Sequence, residues 1–197
     1  MFSRDWKLGV STYIYQDHLG VNQLEVIEEA GIAYFELACY PPCFDIDDKK
    51  RVEEIRRYLA SSALECWSLH SIFRGNNDFS VVTGKEQDYA LIGTKKCIEI
   101  ASQLGVDKVV VHPNGGKGPL PRGERPRRLS QCQEGLAKLV TFVEGSGVTL
   151  AVENNSHDGI GNRFWELKSI ISDFPPELVG VCMDINHIFG ESIHEFV

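Results

Sequence analysis

Four residues able to bind a metal or move a proton close four successive apolar runs of the chain: His70, His112, Glu153 and Asp184. His187 follows Asp184 in an Asp-x-x-His step, and Glu36 lies in an earlier run, Ala33–Tyr40. Carboxylate oxygens suit Mg2+ and Mn2+, and imidazole nitrogens suit Zn2+ and Fe2+ as well. Brought to one place, these groups could hold a divalent cation and carry out acid–base chemistry beside it. Singly, each has an ordinary use. Glu153 could cap a helix or pair with an arginine, and Asp184 could serve a turn. His70 and His112 could be satisfied histidines of a pocket wall. Glu36 reads as an acceptor for a buried donor rather than as a catalytic acid. His18, His157 and His194 fall in loops or near the last residues and read as solvated.

The order of elements is what would bring these groups together. Six β-rich runs are Leu8–Tyr13, Ala33–Tyr40, Leu64–Phe73, Asp107–Asn114, Val148–Asn155 and Leu178–Asp184. Each is bounded by Gly, Pro, Asn or Asp. Helical stripes fall between them. Asn22 is expected to cap a helix that ends at Gly31. Val52, Ile55 and Leu59 form a second stripe, and Ala90, Thr94, Cys97, Ala101 and Leu104, stopped by Gly105, form a third. Leu129, Cys132, Leu136, Leu139 and Val143 form a fourth, and Phe164–Ile171 a fifth. Strands alternating with helices imply an α/β fold with a parallel sheet, closed either as an open doubly wound sheet or as a (β/α)8 barrel.

Two features favour the barrel. Ser11-Thr12-Tyr13-Ile14 follows the first run where a dinucleotide fold places glycines. Gly115-Gly116-Lys117-Gly118 lacks the spacing and the Ser or Thr of a phosphate loop, and reads as a flexible connection. Side chains also alternate across each strand. Val148, Leu150 and Val152 share one face, as do Val179, Val181 and Met183, Val109 and Val111, and Trp67 and Leu69. That bulky face is expected to pack on helices, with Trp67 in the core. The opposite face is smaller and ends in a carboxylate or imidazole, as a barrel interior with a polar mouth would. Tyr13, Tyr40, Phe73 and Trp165 lie near that mouth.

At these residues the sequence resembles the xylose isomerase-like βα barrels. That group includes sugar epimerases and isomerases, inosose-type dehydratases and the endonuclease IV type of DNA-repair enzyme. The matching pieces are Tyr34-Phe35-Glu36, Ser68-Leu69-His70, Val110-Val111-His112-Pro113, Leu150-Ala151-Val152-Glu153-Asn154 and Met183-Asp184-Ile185-Asn186-His187. The resemblance implies Glu153 as metal ligand and catalytic acid–base, and Asp184 as a second metal ligand. It implies His187, His70 and His112 as substrate-facing residues, which in the nuclease branch bind zinc. The implied cofactor is one divalent metal: Mn2+, Mg2+, Co2+ or Zn2+. The family completes its site with a histidine on a seventh strand and a glutamate on an eighth. The β-rich runs recur about every 34 residues, an ordinary length for a βα unit, so eight units need about 270 residues. With 197 residues, the expectation is one barrel-type domain over 1–197 with about six βα units, incomplete at its C-terminus.

The reaction this implies is proton transfer beside a metal-polarised carbonyl of a sugar, sugar phosphate or inositol-type substrate: a metal-dependent isomerase or epimerase. One alternative is an endonuclease IV-like phosphodiesterase. A net charge of −8 argues against it, because DNA binding rests on a broad basic face. The basic run Lys117, Arg122, Arg125, Arg127 and Arg128 reads as a solvated loop or as a phosphate-binding one. A second alternative is a non-catalytic chain whose six strands leave two open sheet edges, and which pairs with a partner or with itself as a homo-oligomer. The apolar content of 43 % suffices for a core. The six scattered cysteines, with no CxxC pair, read as reduced thiols of a cytoplasmic protein. No apolar run reaches the roughly 18 residues of a membrane span, and the charged Met1–Trp6 does not read as a signal peptide.

Overall fold

Each of the six β-rich runs contains a strand, and each apolar stripe lies on a helix. The computed structural model describes residues 7–73, 77–81, 84–115, 120–156 and 158–188. The chain runs β1 (Gly9–Ser11), α1 (Val21–Glu29), β2 (Tyr34–Ala38), α2 (Lys49–Leu59), β3 (Glu65–His70), α3 (Gly84–Leu104), β4 (Lys108–Val111), α4 (Arg125–Val143), β5 (Thr149–Glu153), α5 (Phe164–Ile171) and β6 (Val179–Cys182). Single 3-10 turns follow β1 at Thr12–Ile14 and β6 at Ile185–His187. The strands are shorter than the runs that announced them, so His112 and Asp184 stand just beyond β4 and β6. Of the sequence features above, Met1–Trp6, Gly116–Gly118, His157 and His194 lie outside the described residues.

All strand pairings are parallel, and the sheet order is β1-β2-β3-β4-β5-β6. Each strand therefore lies beside its successor. A doubly wound sheet would reverse direction at a switch point, whereas an uninterrupted progression is that of a βα barrel. The outer face of the sheet carries Phe35, Leu37, Leu69, Val109, Val111, Leu150 and Val152. They pack with Leu24 and Ile27 of α1, Val52 and Ile55 of α2, Cys97 and Ile98 of α3, Leu136 and Leu139 of α4, and Leu167 and Ile170 of α5. All six cysteines are unbridged, and five are buried. Among the described residues no helix is long and apolar enough to cross a membrane.

Three expectations are corrected. The residue before α1 is Gly20, whose N–H donates to Gln23 Oε1 at 2.9 Å, and Asn22 is an exposed residue of the helix. The helix does end as expected: Gly31, at φ +75°, turns the chain in the left-handed region that a Cβ disfavours. Trp67 does not join the core. The β2–β3 register steps from Phe35↔Cys66 to Glu36↔Ser68, so Trp67 is the extra residue of a β-bulge. A bulge breaks the alternation of faces. Cys66 and Leu69 stay with the helices, and Trp67 is 36 % exposed, edge-on to Tyr34 with the Lys7 and Lys108 ammoniums 4.3 and 4.1 Å from its ring centre. Val179 of β6 is buried as expected, but Val181 and, just beyond the strand, Met183 are 47 % and 41 % exposed. Among the described residues no helix follows β6 to cover them.

Candidate metal centre

The C-terminal ends of β3, β4, β5 and β6 bring His70, His112, Glu153, Asp184 and His187 to one cleft of about 1080 Å³. Glu153 is the hub. Its Oε2 lies 3.0 Å from His70 Nε2 and 3.2 Å from His112 Nε2. Its Oε1 lies 3.2 Å from His187 Nδ1, and that nitrogen is 3.5 Å from Asp184 Oδ2. Two donor groups therefore share one carboxylate: His70, His112 and Glu153, and Glu153, Asp184 and His187. Strand parity brings Glu153 inward, and its carboxylate is almost wholly buried.

Burial alone would raise the Glu153 carboxyl. Hydrogen bonds from His112, His187 and His70 outweigh it and hold the group well below the usual carboxylate range. Burial alone would likewise lower His70, but its bond to Glu153 and the charges of Glu36 and Glu153 prevail and raise the imidazole to about 9. The bond to Glu153 also raises His187, against desolvation. His70 shows why these residues fit a cation. Its Nδ1 lies 2.9 Å from the Ser71 carbonyl oxygen, which only accepts, so Nδ1 carries a proton. A neutral ring then turns the lone pair of Nε2 toward Glu153 Oε2, itself an acceptor. A proton or a metal ion resolves that confrontation, and a backbone carbonyl behind a ligating histidine is the usual support of such a ligand. Cys182 also lines the cleft. Burial and the charges of Glu153, Glu36 and Asp184 push its thiol up to about 12.

Around the hub the cleft has two characters. Tyr13 and Phe73 form an aromatic wall, their ring centres 5.8 Å apart, with Tyr40 against both at 5.7 and 5.1 Å. Phe73 also meets the rings of His70 and His112 at 4.8 and 5.5 Å. Deeper in, Glu36 accepts from Ser11 Oγ at 3.0 Å and Ser68 Oγ at 3.2 Å, the acceptor role expected of it. Trp165 is 55 % exposed on α5 and does not line the cleft. His18 is exposed, as expected.

The basic run divides. Lys117 lies outside the described residues, and Arg122 and Arg127 are exposed. Arg125 is a latch. It pairs with the fully buried Glu166 and donates to the carbonyls of Asp158 and Gly159 at 3.2 and 3.0 Å and to Asn162 Oδ1 at 2.5 Å. Arg128 meets Glu124 at 3.2 Å and Asp78 at 3.6 Å. The arginine that opens α4 against the helix dipole thus has a structural reason. Sequence reasoning also passed over Asn154. The one signal was an amide directly after a strand-end glutamate.

The family described as xylose isomerase-like TIM barrel matches residues 24–196, which include every residue of the cleft's donor set. The chain belongs to that family. The probable endonuclease 4 of Citrifermentans bemidjiense is 33 % identical over 141 residues, covering 68 % of this chain and 47 % of that protein. The chain thus spans about half the length of the curated relatives it matches. Among solved structures of the family's fold, a D-tagatose 3-epimerase-like protein superposes with a TM-score of 0.80 at 21 % identity, covering 92 % of this chain and 66 % of that one. The IolI protein, solved with a bound zinc atom, superposes at 0.75 and 18 % identity, covering 96 % of this chain and 67 % of that one.

Proposed function

We propose that the chain carries metal-binding and proton-transfer residues of a metal-dependent sugar isomerase or epimerase. The observation that carries this reading is the convergence of His70, His112, Asp184 and His187 on the buried Glu153 carboxylate in an aromatic-walled cleft. Glu153 and Asp184 would hold a divalent metal, Mn2+, Mg2+, Co2+ or Zn2+, whose identity the mixed oxygen and nitrogen donors leave open. A cation held there supplies Lewis-acid polarisation of a ketose carbonyl and its neighbouring hydroxyl. Glu153, kept ionised, accepts the carbon-bound proton between them. Delivery of a proton by a second acid on the opposite face would give epimerisation, and return of the proton to the neighbouring carbon would give isomerisation. His70, His112 and His187 face the substrate hydroxyls. Tyr13 and Phe73 offer flat apolar surface to the C–H face of a sugar ring, and the carboxylates accept from its hydroxyls. The solved epimerase-like neighbours support a sugar substrate.

A second reading, an endonuclease IV-like phosphodiesterase, has its own support. The donors fall into two groups that share Glu153, an arrangement suited to a pair of metals acting on a phosphodiester, and the relative at 33 % identity is named a probable endonuclease 4. Against it stand the net charge of −8 and the engagement of Arg125 and Arg128 within the chain. The test is to load the full chain with Mn2+ or Zn2+. It is then incubated with a panel of free ketoses, read by chromatography, and with a duplex containing one abasic site, read on a denaturing gel. Ketose turnover that stops on chelation is the expected result. Cleavage at the abasic site without ketose turnover transfers the assignment to the nuclease. Neither activity supports the non-catalytic chain.

A further inference from the structure

Asp184 and His187 sit in a segment that packing holds loosely. Its neighbours Met183 and Ile185 are 41 % and 64 % exposed. The β5–β6 ladder has also ended, its last register pair being Glu153↔Cys182. One fully buried residue extends the order beyond that point. The Asn154 backbone N–H donates to the Cys182 carbonyl at 3.2 Å, and its side-chain amide then takes over from the ladder. Asn154 Oδ1 accepts from the Asp184 N–H at 2.6 Å, and Nδ2 donates to the Asp184 carbonyl at 2.9 Å. The carboxamide thus pairs with the Asp184 backbone on both sides, as another peptide group would. Separately, the main-chain carbonyl of residue 154, which any residue would supply, lies 2.9 Å from His187 Nδ1, and Glu153 Oε1 lies 3.2 Å from the same nitrogen. A carbonyl only accepts, so Nδ1 carries the proton, and the lone pair of a neutral His187 sits on Nε2.

We propose that Asn154 is a positioning residue that sets the divalent-metal affinity of the centre, by pinning the backbone of Asp184 with its side-chain amide. The inference rests on the reading of Glu153 and Asp184 as metal ligands. Asn154 acts through its neighbours. It holds the Asp184 main chain while Asp184 Oδ1 accepts from the Asn186 N–H at 2.7 Å, which leaves Oδ2 on the side of His187 and Glu153. Supports of this kind change metal affinity about 10- to 100-fold when removed. Only an amide serves here, because the site demands one acceptor and one donor at the end of a short side chain. Leucine has nearly the same shape and offers neither.

The experiment is calorimetric titration of Mn2+, repeated with Zn2+, into the metal-free full chain. The wild type is compared with N154A, the volume-conserving N154L, and Q133A. The last removes a hydrogen bond from Gln133 to the Ser169 carbonyl between α4 and α5, away from the cleft. The expected result is an affinity about 10- to 100-fold weaker in N154A and N154L, with Q133A binding as the wild type does. Metal-free melting temperatures separate this from general destabilisation, since a purely structural role predicts loss of stability with affinity unchanged. Wild-type affinity in a folded N154A or N154L overturns the inference alone. A wild type that takes up neither metal overturns the reading of the site as well. Should neither variant fold, the wild type decides through the NMR coupling across the hydrogen bond from the Asp184 amide nitrogen to the Asn154 side-chain carbonyl carbon. A measurable coupling agrees with the clamp, and its absence overturns it.

Discussion

Glu153 illustrates how one side chain takes its character from its neighbours. In isolation a buried carboxyl is held neutral, but three imidazoles reverse the sign and keep it ionised. E153Q keeps the shape and removes both the charge and one acceptor oxygen. It is expected to lower Mn2+ affinity by more than the roughly 100-fold that an outer support can cost, read by calorimetry. A control for charge effects lies on the far surface. Arg56 and Arg57 clamp Glu53 at 2.7 and 2.8 Å and lower its pKa to about 2. Its folded-state value is depressed, so the small stabilisation of α2 is present above the ordinary carboxyl range and is lost as pH falls toward about 2. An NMR titration of the Glu53 carboxyl should find the depressed midpoint at low ionic strength, moving back up in about 1 M salt. A midpoint insensitive to salt would contradict the assignment to these arginines.

The elements position the donors through connections that packing alone does not make. The β5–α5 loop is an example. Gly161 N donates to Glu166 Oε2 at 2.9 Å, Gly161 O accepts from Asn155 N at 3.1 Å, and Arg125 reaches across from the start of α4 to grip the same loop. Asn155 lines the cleft two residues after Glu153, so the latch on the outside supports the mouth. Removing Arg125 strands a fully buried carboxylate. R125M is therefore expected to destabilise by about 3–5 kcal/mol, whereas R125M combined with E166L should regain most of that loss. Urea denaturation of the three proteins measures both. Equal stability of the single and double variants would show that the guanidinium's carbonyl contacts, rather than its charge, matter.

On the scale of the whole molecule, six parallel strands in sequential order raise five donors to one end and leave the helices outside. Binding confined to the folded state links that centre to global stability. Metal at about 100 times its dissociation constant adds about 2.7 kcal/mol. For a chain of this size that is a rise of roughly 5–11 °C in melting temperature. Differential scanning fluorimetry with and without Mn2+, and again after chelation, checks it. No shift on addition and none on chelation would mean that the centre holds no exchangeable ion.

Much of this was legible before any coordinates. Alternation of β-rich runs and helical stripes is a local property, so the number, type and order of the elements follow from short windows of sequence. Strand parity is local too, and it placed His70, His112, Glu153 and Asp184 on one face at one end. Trp67 marks the limit of that reasoning, because a single bulged residue shifts the parity and is visible only in the register against β2. The rest depended on contacts between distant parts of the chain. Glu153 meets His70 across 83 positions and Arg125 meets Glu166 across 41. The amide of Asn154 finds Asp184 30 residues on. Residue types and periodicity determined which groups could do chemistry. Only the tertiary structure decided which atoms face which, because hydrogen-bond partners and burial, and the pKa values that follow from them, are set by elements that the sequence keeps apart.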